Sequence, residues 1–168
     1  MARSVSQNSR MDRNNDRKID IHELQRSLSN GSDSPFNLRV TNRWFTLFDR
    51  DSSGFIEINE FKKLYTHMIE WFEYFEHYDQ NHSQFIEAHE LKEALNEYDP
   101  NLSGCFLNIV IKKFDRTNSN RLAVDDFIDA MFCVHQLAKA FKKYDKTRSG
   151  IAEMTYEDFL LCVLCVLI

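Results

Sequence analysis

A pattern that recurs five times constrains this chain more than any other feature of its sequence. An apolar or aromatic residue is followed by Asp, and each such Asp opens a segment of twelve residues. The five segments span residues 12–23, 49–60, 79–90, 115–126 and 145–156. Their eighth positions hold Ile19, Ile56, Ile86, Leu122 and Ala152. Regular self-similarity over most of the chain predicts a repeat architecture in which each copy is one supersecondary unit.

The residue types within a segment are those that coordinate calcium. Ca²⁺ takes about six to eight oxygen ligands, and a twelve-residue loop supplies them from positions 1, 3, 5, 7 and 9, with a bidentate Glu at position 12. The segment 49–60 has an oxygen donor at every one of these positions, and Gly54 at position 6 suits the sharp turn. Its predicted ligands are Asp49, Asp51, Ser53, Phe55 through its carbonyl, and Glu60.

Two further segments have usable donors. The first has Asp12, Asn14, Asp16, the carbonyl of Lys18, and Glu23. Its position 6 is Arg17, which costs roughly 1 kcal/mol relative to Gly in a left-handed conformation. The third has Asp79, Asn81, Ser83, the carbonyl of Phe85, and Glu90. We expect the third loop to bind more weakly than the second, because it offers fewer charges.

The last two segments are poorer metal sites. The fourth has Ala123 at position 9 and Asp126 at position 12, and Asp is one methylene shorter than the bidentate Glu. The fifth has Tyr156 at position 12, which supplies no carboxylate. The first three segments carry eleven acidic and four basic residues, whereas the rest of the chain is slightly basic. The acidic character is therefore concentrated where calcium is expected, and we assign the fifth segment a structural role.

The distances between segments predict an all-α fold of five helix–loop–helix units, each called a hand. The gaps 61–78 and 127–144 contain neither Gly nor Pro, and apolar residues recur in them at spacings of three and four. Each gap is thus predicted to be one continuous helix that leaves one loop and enters the next. The longer gaps are predicted to hold two helices and a turn. Candidate caps are Asn37, Ser103 and the Thr155–Asp158 pair.

Hands of this kind work in pairs, bridged by a short antiparallel contact between their position-8 residues. Hands one and two are predicted to pair, and so are hands three and four, which leaves the fifth hand without a partner. Its apolar stripe consists of Tyr156, Phe159, Leu160, Val163 and Leu164. The expected partner is the fifth hand of a second copy, which would give a two-fold dimer. The alternative is that the last helix folds back onto its own core.

Composition excludes several other classes. The formal charge of −5 does not indicate a nucleic-acid binder. The first thirty residues lack the apolar run of a signal peptide, and the longest apolar stretch is too short to span a bilayer. Four cysteines in apolar stretches indicate buried, reduced thiols, which favours a cytoplasmic location. No catalytic motif is present, and Cys133 and His135 lie two apart on a predicted helix, so we do not expect an enzyme.

Five hands with these gap lengths and a degenerate fifth loop resemble the penta-EF-hand family. The segments 34–37, 111–116 and 156–159 look most like the branch that holds programmed cell death protein 6 and peflin. The resemblance divides the chain into a polar N-terminal segment, residues 1–11, and a penta-EF-hand domain, residues 12–168. It implies Ca²⁺ as the cofactor and dimerisation through the fifth hand, with itself or with another penta-EF-hand chain. It also implies calcium-dependent capture of protein partners, including Pro-rich segments, and at most peripheral membrane association.

The favoured function is a calcium sensor and adaptor that exposes an apolar surface to partner proteins. Its predicted partner groove includes Trp71 and Phe72, although aromatic residues at helical spacing are more often ordinary core. The first alternative is a calcium-binding regulatory subunit of a larger enzyme, similar to the calpain small subunit. The second is a calcium buffer, which would open little on binding. The segment 1–11 is too polar for an amphipathic entering helix, so either the first hand is half-formed or the chain has a variant start.

Overall fold

The computed structural model describes residues 18–31, 34–99 and 102–167, with side chains to residue 164. The predicted ligands Asp12, Asn14 and Asp16 and the polar segment 1–11 lie outside these residues. Seven α-helices occupy the described part: α1 (Ile21–Ser27), α2 (Leu38–Phe48), α3 (Ile58–Tyr78), α4 (Ala88–Leu95), α5 (Gly104–Phe114), α6 (Val124–Tyr144) and α7 (Tyr156–Leu167). The all-α prediction is confirmed.

Helices α3 and α6 are the two long continuous helices that the short gaps predict. Each has 21 residues, which corresponds to about 32 Å at 1.5 Å per residue. Along α3, the buried positions Phe61, Leu64, Met68 and Phe75 recur at the spacing of one helical face. One continuous helix therefore belongs to two consecutive hands and connects their loops directly.

The sequence-predicted caps are present at three helix starts. The Asn37 side chain accepts a hydrogen bond from the Arg39 amide at 2.9 Å, before α2. The Ser103 hydroxyl accepts one from the Phe106 amide at 3.2 Å, before α5. Before α7, the Thr155 hydroxyl accepts from the Asp158 amide at 3.1 Å and donates to the Asp158 carboxylate at 2.7 Å. The bonds accepted from Arg39, Phe106 and Asp158 each satisfy an amide that the helix itself leaves unpaired.

The hands pair as predicted through their position-8 residues. Ile19 and Ile56 exchange backbone hydrogen bonds of 3.1 and 2.9 Å, which joins hands one and two. Ile86 and Leu122 exchange bonds of 2.7 and 2.9 Å, which joins hands three and four. These isolated bridges are the only β pairing among the described residues. All four side chains are at most 1% exposed, so the bridges also close the base of each loop pair.

One hydrophobic core fills the space between the two pairs of hands. The side chain of Phe127 on α6 is fully buried and packs against Tyr74 and Phe75 of α3, with ring centroids 5.9 and 5.7 Å apart. Helix α3 contacts both α2 and α6, and α2 also contacts α6. The two long helices therefore contact each other through a core that both pairs of hands share.

Helix α7 packs against α6 but leaves its apolar stripe uncovered. Tyr156 is 78% exposed, and Phe159, Leu160 and Leu164 are also exposed, while Val163 is half-buried. The alternative prediction, in which the last helix folds back onto the core and buries this stripe, is therefore wrong. The Tyr144 hydroxyl donates to the Asp158 carboxylate at 3.0 Å and so holds α7 beside the end of α6.

Two expectations about the surface have different outcomes. The prediction of buried cysteines is wrong for Cys105, which is exposed because it lies on the outward side of α5, while Cys133 and Cys162 are half-buried. No helix in the described ranges combines the length and the apolar character needed to cross a membrane.

Candidate metal-binding loops and cleft

The second loop brings three carboxylates together. One carboxylate oxygen each of Asp49, Asp51 and Glu60 lies within 4.8 Å of the other two. The Ser53 hydroxyl donates to the Phe55 carbonyl at 3.1 Å, so these two predicted oxygen donors are also neighbours. Hydrogen bonds from Ser53 to the Asp51 carboxylate lower the pKa of Asp51 below its ordinary value and favour its charged form. This donor set fits a hard divalent cation such as Ca²⁺.

The backbone of the loop explains why these oxygens converge. Gly54 at position 6 has φ of +80° and Ser52 at position 4 has φ of +55°. This double left-handed turn directs the amides of Ser53 and Gly54 at Asp49, at 2.9 and 3.0 Å. The loop therefore closes around Asp49, its first predicted ligand, through its own backbone amides and without an ion. The motif predicted the positive φ at position 6 but did not indicate the one at position 4.

Glu60 connects the second loop to helix α3. It stands in the first turn of α3, and its two carboxylate oxygens accept the amides of Arg50 at 2.9 Å and Glu57 at 3.1 Å. The first bond spans the loop from position 2 to position 12, and the second caps the helix. Both oxygens of Glu60 are therefore bonded to backbone amides, one from the loop and one from the residue that precedes α3.

The third loop repeats this geometry with fewer charges. Asp79 accepts the amides of Ser83 and Gln84, both at 2.9 Å, and Glu90 accepts those of Gln80 at 3.1 Å and Glu87 at 2.9 Å. The predicted ligand Asn81 accepts the Ser83 amide at 2.9 Å, and the Ser83 hydroxyl donates to the Phe85 carbonyl at 2.9 Å. Position 6 is Gln84, with φ of +67°. Both end carboxylates are buried, with Glu90 fully so, which makes this site more enclosed than the second.

The first loop is described only from Lys18 onward. Its final ligand, Glu23, is buried and accepts the Asp20 amide at 3.1 Å, while Asp20 accepts the amides of His22 and Glu23. This reciprocal cap at the start of α1 matches the caps made by Glu60 and Glu90. The ammonium of Lys18 lies 5.2 Å from the Phe55 ring centroid, which places the first and second loops side by side. The described end of the first loop therefore has the same form as the second and third.

The fourth and fifth loops share the turn but differ at position 12. Asp115 accepts the Asn120 amide at 2.6 Å, and Asp145 accepts the amides of Ser149 at 3.0 Å and Gly150 at 2.9 Å. In the fourth loop the buried Asp126 carboxylate is bound by the side chain of Arg116. Burial raises the pKa of Asp126 although Arg116 opposes the shift. In the fifth loop Tyr156 points into solvent. Neither loop gathers three carboxylates.

A central cleft of about 620 Å³ lies between α2, α3 and α6. Its lining is mainly apolar and includes Trp44, Trp71 and Phe132, with Tyr98 and His135 at one end. The Trp71 indole donates to His67 at 3.1 Å, and the Tyr98 hydroxyl lies 3.3 Å from the His135 ring. The predicted groove residue Trp71 thus borders the cleft.

Phe72, the other predicted groove residue, does not line this cleft. It packs against Phe36 and Trp44 with ring centroids 6.5 Å away in each case. The reason is helical geometry: consecutive residues on α3 point about 100° apart, so Trp71 and Phe72 serve different faces. Periodicity alone placed both aromatics on one apolar side. Other cleft residues, such as Arg43, whose guanidinium lies 4.3 Å from the Phe132 centroid, depend on contacts between helices.

Comparison with known proteins agrees with this geometry. The model of the EF-hand domain pair matches residues 9–66 and 69–132. Sorcin from Schistosoma japonicum is 37% identical over 95% of this chain and 93% of its own length. Grancalcin from Homo sapiens is 33% identical over 86% of this chain and 68% of its own length.

Among solved structures, a homologue of programmed cell death 6 protein from Leishmania major Friedlin superposes with a TM-score of 0.84. It covers 97% of this chain and 93% of its own length at 24% identity, and so shares the fold. The paired loops, the bridged hands and these relatives lead to one conclusion. The chain belongs to the penta-EF-hand family, as a calcium-binding EF-hand protein of the sorcin and grancalcin type.

Proposed function

We propose that this protein is a calcium sensor and adaptor, in which occupancy of the second and third loops alters the central cleft and the cleft binds partner proteins. The observation that carries the proposal is the position of Glu60. This residue is both the last predicted ligand of the second loop and part of the first turn of α3. Trp71, which borders the cleft, lies eleven residues along the same helix, a distance of about 16 Å.

The response of the second loop to calcium has an electrostatic cause. Asp49, Asp51 and Glu60 hold three carboxylates whose oxygens lie within 4.8 Å of one another, and like charges at this distance repel each other. When bound, Ca²⁺ supplies the positive charge that balances them. Glu60 then exchanges its bonds to the Arg50 and Glu57 amides for the ion, and the start of α3 must adjust. Binding energy is thereby converted into a change of helix position.

The cleft suits a partner that inserts apolar side chains. Trp44, Trp71 and Phe132 line it, and the side-chain amides of Asn42 and Gln136 in the same lining can bond to a peptide backbone. Pro-rich segments fit these features, because they are extended and carry few backbone donors of their own. We place the protein in the cytoplasm, with membrane association at most peripheral and dependent on calcium.

Dimerisation through the fifth hand completes the proposal. The exposed stripe of α7 continues onto α6, where Leu137 is 41% and Phe141 39% exposed. A continuous apolar surface of this kind marks a protein–protein contact. A second copy would bury the same stripe on both sides, as a two-fold interface requires. A different penta-EF-hand chain could use the same surface, as in the regulatory-subunit alternative.

The calcium sites are tested by calorimetric titration in physiological salt with Mg²⁺ present. We expect at least two sites per chain for the unmodified protein and the loss of one site in Glu60→Gln. The matched control is Glu73→Gln, which removes the same charge from an exposed position on the same helix. An equal number of sites in the Glu60→Gln variant would refute the assignment of the second loop.

The cleft is tested with an apolar fluorescent dye and a synthetic Pro-rich peptide. Calcium is expected to increase dye and peptide binding, and Trp71→Ala is expected to remove most of the increase. Ile109→Ala is the control, because Ile109 is 59% exposed on α5 and does not border the cleft. If calcium leaves dye binding unchanged, the protein is a buffer rather than a sensor.

The oligomeric state is tested by sedimentation equilibrium at micromolar concentration with calcium. We expect a dimer, converted to a monomer by Phe159→Glu and unaffected by Ile109→Glu. A monomeric unmodified protein would refute the homodimer. Recovery of a stoichiometric larger chain from the source tissue would then support the regulatory subunit.

A further inference from the structure

The fourth hand has a cation of its own. The guanidinium of Arg116, at position 2 of the fourth loop, bonds the carboxylate of Asp126 through Nε and that of Asp125 through Nη2. Both Asp residues belong to the first turn of α6 and are at most 1% exposed. A buried carboxylate is stable in its charged form only when it is paired. Arg116 supplies that pairing at position 12, where the first three hands have Glu.

The second loop shows what the same position does in a metal-binding hand. Arg50 is also at position 2, and its backbone amide donates to Glu60 as the amide of Arg116 donates to Asp126, at 2.9 and 3.4 Å. In the described part of the chain, however, the Arg50 side chain makes no ion pair and is exposed. The guanidinium bond to position 12 is therefore a property of the fourth loop and not of an Arg at position 2 in general.

The same cluster reaches the connection between α1 and α2. Asp125 accepts the Asn37 amide at 2.6 Å and the Asn30 side-chain amide at 3.0 Å. Arg116 donates through Nη1 to the Pro35 carbonyl at 3.1 Å. Asn30 is 2% and Asn37 8% exposed, so the two bonds to Asp125 are shielded from water, whereas the bond to Pro35 is exposed. The contacts are almost ninety residues apart in sequence, and they fasten hand four to the segment that joins hands one and two.

A second ion pair reinforces this attachment one turn along α6. Asp129 is 3% exposed and pairs with Arg43 and, at 3.4 Å, with Arg39, both on α2. Three buried aspartates of α6 thus face three arginines, and the charges balance without any metal ion.

We propose that Arg116 is the built-in cation of the fourth hand, which holds that hand closed without metal and ties it to the α1–α2 connection. The fourth hand then holds the two pairs of hands in a fixed position relative to each other. The proposal is independent of the sensor function, because it concerns the metal-free protein.

The first test measures thermal unfolding in the presence of a calcium chelator. Arg116→Gln is expected to lower Tm by roughly 6–20 °C, since it leaves two buried carboxylates without their cation. Arg50→Gln, the same change at the same loop position, is expected to shift Tm by less than about 2 °C. Arg116→Lys keeps the charge without the forked geometry and should fall between the two. A Tm for Arg116→Gln within 2 °C of the unmodified protein would overturn the proposal.

Two further measurements separate a specific ion pair from a general packing role. Asp125→Asn combined with Arg116→Gln should lower Tm by clearly less than the sum of the single changes, because the double variant has fewer unpaired charges. Additive effects would overturn the pairing. In a calcium titration, Asp126→Asn should leave the number of sites unchanged. Loss of a site in this variant would show that the fourth loop binds metal, and the built-in cation would be wrong.

Discussion

Substitution of Gly54 by Ala isolates the energy of the left-handed turn in the calcium loop. Gly54 has φ of +80°, and a Cβ added there would meet no heavy atom within 4 Å. The penalty is therefore conformational and not steric. A residue with a side chain costs about 1–2 kcal/mol in this region, and the lower entropy of the unfolded Ala chain returns about 0.4–1 kcal/mol. We expect a net loss of about 1 kcal/mol.

Thermal unfolding in chelator is the assay, because the turn exists without bound metal. For a protein of this size, a loss of about 1 kcal/mol lowers Tm by about 2–4 °C. Gly150→Ala should give the same decrease, since Gly150 has φ of +79° and an equally open surrounding. Gln84→Gly is the reverse experiment: Gln84 is exposed with φ of +67°, so its replacement should raise Tm by a similar amount.

The signs of these three changes decide the question. If Gly54→Ala melts at or above the temperature of the unmodified protein, the turn does not require a left-handed residue in solution. A decrease for Gln84→Gly would likewise contradict the reasoning, because it would show that the Gln84 side chain contributes more than its backbone strain costs.

Three other changes test the core, a cap and a charge. Phe127→Ala removes a fully buried ring and should lower the free energy of unfolding by about 3–5 kcal/mol, as measured by urea denaturation. Ser103→Ala removes the α5 cap and should cost about 1 kcal/mol in the same assay. Hydrogen bonds from Thr155, and then Tyr144, lower the pKa of Asp158 below its ordinary value of 3.8. Its ionised form therefore stabilises the fold at neutral pH, and this contribution is lost as pH falls below about 4. Asp158→Asn should accordingly reduce Tm at pH 7, and the difference should shrink progressively as pH falls below about 4; a difference that stayed constant over this acid range would exclude the linkage.

Much of the fold could be predicted from the sequence because its signals are local. The Asp at position 1, the apolar residue at position 8 and the Glu at position 12 fix a loop within a dozen residues. The cap at Asn37 is equally local, since its hydrogen bond reaches only two residues along the chain. The pairing of Ile86 with Leu122 followed from the spacing of whole hands.

Other features could not be predicted because they depend on how helices meet. Trp71 and Phe72 are adjacent on α3 and point to different faces, and only the positions of α2 and α6 decide that the face of Trp71 borders the cleft. The exposure of Cys105 has the same origin, since its surroundings in sequence are apolar. One partner of Asp125 is Asn37, which lies 88 residues away in the sequence. A helical or strand periodicity in the sequence cannot predict a bond between residues so far apart.

The sequence by itself determined the kind of unit, the number of units and which residue types stand at each predicted ligand position. All three properties depend on the residue types at fixed positions within one loop. Each loop also closes through local hydrogen bonds, such as those that the Asp49 carboxylate accepts from the amides of Ser53 and Gly54. Only the tertiary structure decided that the fourth hand is closed by Arg116, that a cleft opens beside Trp71 and that the stripe on α7 stays uncovered. The physical reason is that burial and charge pairing depend on contacts between elements that are distant in sequence. The packing of the helices determines which charged side chains lose their water and which oppositely charged groups lie close enough to pair with them.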